Sequence, residues 1–400
     1  MVKYIEREAL PADGGDQISR KERNTHMVPK LDPKEQEYKE VPGFMGRMTK
    51  SLNYPLNKHD HGVATFSREP WWQMYQATDA QIFTPSVIPD NVARGFVFEA
   101  KPFNANEQGG GPDMFGVEWE YIKTVGGSMV RPGNPYMEDL SGWREKIVWP
   151  DLDSWDWEGS AAINNGRFLK KENFNQMWFQ TGFYERLIAF MEFEGAIMAL
   201  FDEDSQPEVH AFFDKLTDFY IDLFKHVLKY FPDVNAVFFH DDWGSQKETF
   251  FSPSVAEEMI VPYMRRLTDF LHANGIFCEL HSCGNNYKQV PNYIKAGWDA
   301  WAPQLMNDSY KIYDDFGDKI LIATFPQNIP EEIMALPTTD EQGAAFAKLP
   351  EEEQRRIARE YADRVCVHGK PSFYNFYAAH WLTPAFREEL YKESRINYSK

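Results

Sequence analysis

Strands and helices alternate regularly in the C-terminal half of this 400-residue sequence. Apolar runs at 234–239, 276–280, 300–302 and 319–324 have the length and composition of buried strands, and helical patterns lie between them. Such alternation forms βα units, in which successive strands pair in parallel. With a last strand predicted at 373–377, we expect an α/β fold of the (β/α)8 TIM-barrel type, whose site lies where the C-terminal ends of the strands meet.

The N-terminal half shows its strands less clearly. Strands are predicted at 92–99 and 174–179. Between them, residues 104–160 are rich in Gly, Pro, Trp and Asp, which interrupt helices and long strands, so only short strands such as 115–122 fit there. Long segments of this kind in a compact domain are usually functional. We interpret 104–160 as long loops at the C-terminal face of the barrel.

The first part of the chain differs from the rest. Residues 1–60 are polar, and neither a helical nor a strand period continues through them. We predict that they form an N-terminal arm or cap, followed by a single barrel domain at 61–400. Barrels of this type commonly use such a length for one domain with insertions.

The charge balance and the cysteine content narrow the partners and the compartment. The sequence has 61 acidic and 42 basic residues and a net charge of −19, which disfavours binding to nucleic acid and to anionic membranes. No apolar run approaches the roughly 18 residues of a membrane span, and the N-terminus lacks the pattern of a signal peptide. Three cysteines do not make a disulfide framework. We therefore expect a cytoplasmic protein that binds neither nucleic acid nor membrane.

One predicted strand ends in soft metal ligands. In the run from Phe277 to Cys283, the strand period of two places Glu279, His281 and Cys283 on one face, which would point into a barrel. Imidazole nitrogen and thiolate sulfur are ligands that Zn²⁺ prefers. Glu279 would lie one layer lower, either as a third ligand or as the group that orients His281. A buried thiol beside a hydrogen-bonded histidine is the alternative interpretation.

A third ligand has to come from elsewhere in the chain. Cys366 falls at the end of a helix that leads into the last predicted strand, which places it at the opposite end of the barrel. His380 follows the strand at 373–377 and should reach the C-terminal mouth. Topology therefore favours His380 over Cys366 as the third metal ligand.

A second polar cluster follows the strand at 234–239. Adjacent strand residues point in opposite directions, so only one of Asp241 and Asp242 faces the barrel, and the other is free to cap a loop or a helix. Both are candidate general acids or bases, with turn formation as the alternative. The predicted substrate contacts are side chains near the same mouth, namely Trp243, Gln246, Glu279, Trp301 and Gln304.

Taken together, these motifs resemble the uroporphyrinogen decarboxylase superfamily, and within it the corrinoid-dependent methyltransferases. The matching segments are His240-Asp-Asp-Trp-Gly-Ser-Gln246, Ser252-Pro253 with Pro262, His281-Ser-Cys-Gly284 and Gly297-Trp-Asp299. The resemblance implies a TIM barrel with its site at the C-terminal mouth. It also implies a zinc ion held by the His-x-Cys pair, which His281 and Cys283 match, and by a later cysteine near the last strand. That later cysteine has no match at the expected position.

The function implied by this resemblance is a zinc-dependent methyltransferase. It would move a methyl group between a small substrate and a corrinoid cofactor carried by a partner protein, with Asp241 or Asp242 supplying or accepting the proton. The Trp-rich loops favour an aromatic methyl ether as the substrate. Two alternatives stay open: a metal-independent decarboxylase or lyase, and a non-catalytic module that binds the corrinoid protein or a ligand. The Arg-rich N-terminal motif of the family's decarboxylases has no counterpart in this sequence.

Overall fold

The computed structural model describes residues 28–42, 48–124 and 126–400. Its strands are β1 (Tyr38–Pro42), β2 (Met48–Leu52), β3 (Ala80–Phe83), β4 (Gly111–Pro112), β5 (Glu118–Ile122), β6 (Gly127–Val130), β7 (Phe174–Phe179), β8 (Val234–His240), β9 (Phe277–His281), β10 (Ala300–Ala302), β11 (Leu321–Thr324) and β12 (Phe373–Tyr374). Its α-helices are α1 (Lys58–Phe66), α2 (Gln76–Asp79), α3 (Asn91–Arg94), α4 (Ala105–Gln108), α5 (Trp143–Lys146), α6 (Trp157–Asn164), α7 (Phe183–Phe201), α8 (Gln206–Tyr230), α9 (Pro253–Met259), α10 (Val261–Ala273), α11 (Val290–Lys295), α12 (Ser309–Phe316), α13 (Glu331–Met334), α14 (Thr339–Phe346), α15 (Glu351–Val365) and α16 (Pro384–Tyr398).

A curled parallel sheet forms the centre of the molecule. It contains seven strands in the order β12-β11-β10-β9-β8-β7-β3. Tyr75, just before β3, forms a parallel bridge with Tyr374 of β12, and the Tyr374 amide donates to the Met74 carbonyl at 2.8 Å. This contact connects the two edges of the sheet. The fold is therefore TIM-barrel-like, as predicted, although a short bridge stands where an eighth regular strand was expected among the described residues.

Aromatic side chains fill the N-terminal end of the barrel. Phe66 of α1 lies 5.1 Å from Phe174, 5.5 Å from Phe277 and 6.1 Å from Phe373, measured between ring centroids. These three partners are the first residues of β7, β9 and β12. Because this end is closed by apolar packing, polar groups that follow the strands collect at the opposite, C-terminal end.

The long loops differ in detail from the prediction. The predicted strand at 92–99 is wrong, since α3 begins at Asn91 and the Arg94 amide donates to the Asp90 carbonyl. Asn91, Ala93 and Arg94 have positive φ angles of 53°, 36° and 62°, which a strand cannot accommodate. In the segment 115–122, β5 covers only Glu118–Ile122 and pairs antiparallel with β4 and β6.

The predicted N-terminal arm is described in part, since its residues 1–27 and 43–47 lie outside the described residues. Strands β1 and β2 pair antiparallel. Glu35 forms an ion pair at 2.8 Å with Arg395 of the last helix, so the segment before β1 is attached to the C-terminal end of the chain. In the part of the chain that the structure describes, no helix is both long and apolar enough to cross a membrane.

Candidate metal centre

Two neighbouring strands end side by side and bring four potential metal ligands together. In the parallel register of β8 and β9, His240 lies opposite His281. Each histidine is followed two residues later by a second ligand, Asp242 after His240 and Cys283 after His281. The four ligand atoms all lie within 4.8 Å of one another. We call these four residues the ligand cluster.

His281 is oriented by a backbone carbonyl. Its Nδ1 lies 2.7 Å from the oxygen of Ala302. Because a carbonyl can only accept, Nδ1 bears the hydrogen and Nε2 carries the lone pair. The Nε2 atom lies 3.3 Å from the Cys283 sulfur. Burial lowers the pKa of His281 to about 4, so the ring is neutral, as a metal ligand must be.

Glu279 does not orient His281, contrary to one of its two predicted roles at the metal. The Glu279 carboxylate is fully buried inside the barrel and accepts hydrogen bonds of 2.6 Å from both Gln76 and Gln176. Burial raises the pKa of Glu279 to about 7. It lies outside the ligand cluster, so neither predicted role at the metal fits its position.

Cys283 is held by polar groups on two sides. Its backbone amide donates to Asp242 Oδ1 at 2.5 Å, and Gln304 Nε2 lies 3.1 Å from its sulfur. Gln304 also accepts from the Gly284 amide at 2.9 Å, so this residue, predicted to contact substrate, orients the Cys283 loop. Burial raises the pKa of Cys283 to about 11, and a bound cation would be needed to stabilise its thiolate.

His240 is a candidate ligand that was not predicted from the sequence. Its Nδ1 lies 2.8 Å from Glu185 Oε2, while its Nε2 lies 3.4 Å from Asp242 Oδ1 and 4.0 Å from Cys283 Sγ. Although burial opposes a positive charge, the carboxylates of Asp242 and Glu185 raise the pKa of His240 well above its usual value. A signal was present, because His240-x-Asp242 repeats the spacing of His281-x-Cys283 at the end of the preceding strand.

The two adjacent aspartates have different roles, as strand alternation predicted. Asp241 is fully buried and accepts from the backbone amides of Tyr184 and Glu185 and from the Trp243 indole, at 3.2, 2.9 and 2.9 Å. It therefore caps the N-terminus of α7 and does not face the cluster. Gly182 permits this approach, since a Cβ there would lie 2.4 Å from the Cβ of Asp241. Only Asp242 keeps its predicted place at the mouth.

His380 is not brought to the cluster, so its prediction as the third ligand has to be corrected. Strand β12 ends at Tyr374, and the chain continues as a 3₁₀ helix at Phe376–Trp381. This turn directs the Tyr377 hydroxyl to His281, 3.1 Å from Nε2, while the His380 ring packs 4.3 Å from the ring of Trp381.

Cys366 also lies apart from the cluster, as topology predicted. Its thiol donates to Gln73 Oε1 at 2.7 Å. Burial raises its pKa above the usual value for a thiol. Cys366 is thus a buried, hydrogen-bonded thiol that does not belong to the ligand cluster.

The predicted tryptophan contacts face the helices rather than the barrel interior. Trp243 and Trp301 are fully buried, and both pack on Tyr293 of α11, with ring centroids 5.2 and 5.3 Å away. On β10 the inward positions are occupied by alanines, Ala300 and Ala302, because strand residues alternate. Gln246 lies exposed in the loop after β8.

Other aromatic residues surround His281 instead. Phe238 lies parallel to the His281 ring at 5.8 Å and stacks on Trp178 at 4.3 Å. Phe376 and Tyr377 lie 6.1 and 5.5 Å from His281. We call these four residues, Trp178, Phe238, Phe376 and Tyr377, the aromatic wall. They come from β7, β8 and the 3₁₀ helix after β12, so only the folded barrel brings them together.

A second group of potential ligands lies near the other end of β9. His272 Nε2 and the Cys278 amide both contact Asp299 Oδ2, at 2.8 and 2.9 Å. Burial raises the pKa of Cys278 well above its usual value. These hydrogen bonds join α10, β9 and the turn before β10, so Asp299 and its two partners have a structural role.

Solved structures agree with this architecture, whereas no curated protein matches the chain. Among solved structures, the fold is similar to that of a methyltransferase from Methanosarcina mazei, with a TM-score of 0.53 and 13% sequence identity, covering 86% of this chain and 100% of that chain. At this identity, the likeness concerns the fold.

The sequence also matches a known family over the segment that contains the cluster. Residues 191–322 match the family described as Uroporphyrinogen decarboxylase (URO-D). This segment includes β8, β9 and β10 and all four residues of the ligand cluster. The resemblance predicted from the motifs is confirmed over this segment: residues 191–322 of this chain match the uroporphyrinogen decarboxylase family.

Proposed function

We propose that this protein is a zinc-dependent methyltransferase, which moves a methyl group between a small substrate and a corrinoid cofactor on a partner protein. The observation that supports it most is the ligand cluster at the C-terminal mouth, where active sites of such barrels lie. The likeness in fold to a methyltransferase and the family match over 191–322 agree with this proposal.

The residues present fit a zinc ion. The cluster offers two imidazole nitrogens, one sulfur and one carboxylate oxygen, each a common zinc ligand, within 4.8 Å of one another. His281, Cys283 and His240 would hold the metal. Asp242 would be either a fourth ligand or the group that receives a proton from substrate. When bound, zinc supplies Lewis acidity towards a thiol or towards an ether or alcohol oxygen.

The chain's own residues prepare the site in three ways. The Ala302 carbonyl and Glu185 fix the rings of His281 and His240, and Gln304 fixes the sulfur of Cys283. Because these groups are held before substrate binds, little reorganisation accompanies the reaction.

The aromatic wall favours an aromatic methyl ether as the methyl donor. Trp178 and Phe238 form a stacked pair that lies against His281, so this side of the site is apolar and would favour an uncharged aromatic substrate over a charged one. With a metal bound and His240 neutral, the carboxyl groups next to the site are those of Asp242 and Glu185, and an uncharged ring would meet no repulsion from them. A substrate bearing several carboxylates would meet like charges here.

Metal analysis of the purified protein tests this proposal. We expect one zinc ion per chain, lost in Cys283→Ala and His281→Ala and kept in the control Cys366→Ala. We also expect the wild type and the Cys366→Ala control, but not the two variants that lose zinc, to transfer a methyl group from an aryl methyl ether to a reduced corrinoid protein. A wild type that transfers the methyl group fully without metal would contradict the role of zinc. A wild type that binds no metal and transfers no methyl group would contradict the whole proposal and favour the decarboxylase alternative. Zinc binding without transfer to any corrinoid acceptor would support the non-catalytic alternative.

A further inference from the structure

Glu185 and His240 form a carboxylate–histidine pair beside the ligand cluster. Glu185 stands in the first turn of α7, and its carboxylate oxygen lies 2.8 Å from His240 Nδ1. Both side chains are largely buried, at 18% and 17% exposed. A carboxylate can accept the hydrogen of Nδ1, so that Nε2, once a metal displaces its proton, directs its lone pair at the space between Cys283 and Asp242.

The position of Glu185 is itself fixed by the neighbouring strand end. Asp241 accepts from the Glu185 amide at 2.9 Å and from the Tyr184 amide at 3.2 Å, which attaches the start of α7 to the end of β8. Glu185 in turn contacts His240, the residue before Asp241. The helix and the strand thus hold each other at two adjacent residues, and His240 cannot rotate without losing its partner.

The two histidines of the cluster have different partners. The Nδ1 of His281 faces a neutral backbone carbonyl, whereas the Nδ1 of His240 faces a carboxylate. A carboxylate partner fixes the tautomer of a metal-bound histidine and raises its basicity, and its removal typically weakens metal binding by about 10–100-fold.

From this geometry we propose that Glu185 is a positioning residue that makes His240 a metal ligand. The cluster then obtains its third nitrogen or sulfur ligand from the end of β8 rather than from a cysteine near the last strand. This inference rests on the metal site of the proposed function and does not depend on which group is transferred.

Zinc affinity and the spectrum of bound Co²⁺ test the inference. Full-length wild type, Glu185→Leu and Glu185→Gln would be titrated with Zn²⁺ in competition with a chromophoric chelator. We expect Glu185→Leu to bind about 10–100-fold more weakly. Glu185→Gln should lie between, because its amide oxygen still accepts from Nδ1 but has no charge. The control Glu194→Gln, exposed on the same helix, should match the wild type.

The Co²⁺ spectrum separates positioning from general destabilisation. The visible absorption of bound Co²⁺ reports the ligand set, so Glu185→Leu should change it while a merely structural residue would not. Wild-type affinity and spectrum in Glu185→Leu would overturn the inference.

A double-mutant cycle covers the case in which Glu185→Leu does not fold. If Glu185 acts only through His240, the loss of zinc affinity in His240→Gln and in Glu185→Gln with His240→Gln should be equal. Additive losses would overturn the inference. A wild type that binds no zinc would contradict both proposals, whereas one that binds zinc without methyl transfer would contradict only the proposed function.

Discussion

Arg186 joins the long loops to the barrel through two buried ion pairs. Its guanidinium lies 2.8 Å from a carboxylate oxygen of Asp90 and 2.8 Å from one of Asp113, and all three side chains are at most 1% exposed. Replacement by Met keeps an apolar side chain of similar length but leaves two buried carboxylates without a counter-charge. Breaking a buried ion pair in this way costs about 3–5 kcal/mol, so we expect Arg186→Met to lower the free energy of unfolding by that amount at neutral pH.

The loss should depend on pH, because Asp90 can take up a proton. Burial raises the pKa of Asp90 to about 6 although the charge of Arg186 opposes this, and without Arg186 the folded-state pKa rises further. A group with a raised folded-state pKa stabilises the fold at low pH and loses this contribution as the pH rises through that pKa. The difference between the variant and the wild type should therefore shrink as the pH falls from about 8 to about 6.

Urea unfolding at several pH values measures this effect. Arg144→Met is the matched control, because Arg144 pairs with Glu208 at the surface, where the side chains are 51% and 37% exposed. An exposed pair of this kind contributes about 1 kcal/mol or less. Adding Asp90→Asn to Arg186→Met should recover part of the loss. Equal losses in the two arginine variants, or a loss in Arg186→Met that does not change with pH, would refute the reasoning.

Further predictions concern a loop, an ion pair and a thiol. Gly284→Ala should abolish zinc binding, because the added Cβ would lie 2.3 Å from backbone atoms of the loop after β8. The control is Gly275→Ala, since Gly275 also has a positive φ, 71° compared with 96° at Gly284, but has open space around the added Cβ. This control should bind zinc normally. Hydrogen bonds from Arg395 lower the pKa of Glu35 although burial opposes this, so stability from the pair is present above pH 4.5 and lost as the pH falls through the folded-state pKa. The difference in the free energy of unfolding between wild type and Glu35→Gln, measured by urea unfolding, should shrink as the pH falls below 4.5. A difference that stays constant with pH would count against the ion pair. Cys366→Ser should keep its zinc in metal analysis, since its thiol contacts Gln73 and not the cluster, and loss of zinc would contradict that placement.

Strand periodicity correctly predicted which side chains share a face at two strand ends. The structure has His281 and Cys283 together at the strand end, as the period of two predicted, and it separates Asp241 from Asp242. The same rule, applied to β10, would have assigned Trp301 to the helix side, because its neighbours Ala300 and Ala302 face inward. The error at Trp301 arose from residue type, since tryptophan near a strand end was taken for a pocket residue.

The prediction of His380 as the third ligand assumed that the last strand reaches position 377. That strand ends at Tyr374, and the chain then turns into a 3₁₀ helix. The turn exchanges His380 for Tyr377 beside His281. Strand ends depend on pairing with neighbours, here two residue pairs with β11, and no local pattern in the sequence fixes that length.

The sequence by itself determined the α/β alternation, the strands at 174–179 and 300–302, and the pairing of His281 with Cys283, because each of these depends on local period and residue type. Only the tertiary structure decided that His240 lies opposite His281, that Glu185 faces His240 and that the Ala302 carbonyl orients His281. These contacts join residues that are 21 to 55 positions apart, so they follow from strand order, register and helix capping. The candidate metal centre thus depends half on a local pattern, the His-x-Cys pair, and half on the barrel, which sets one strand end beside the next.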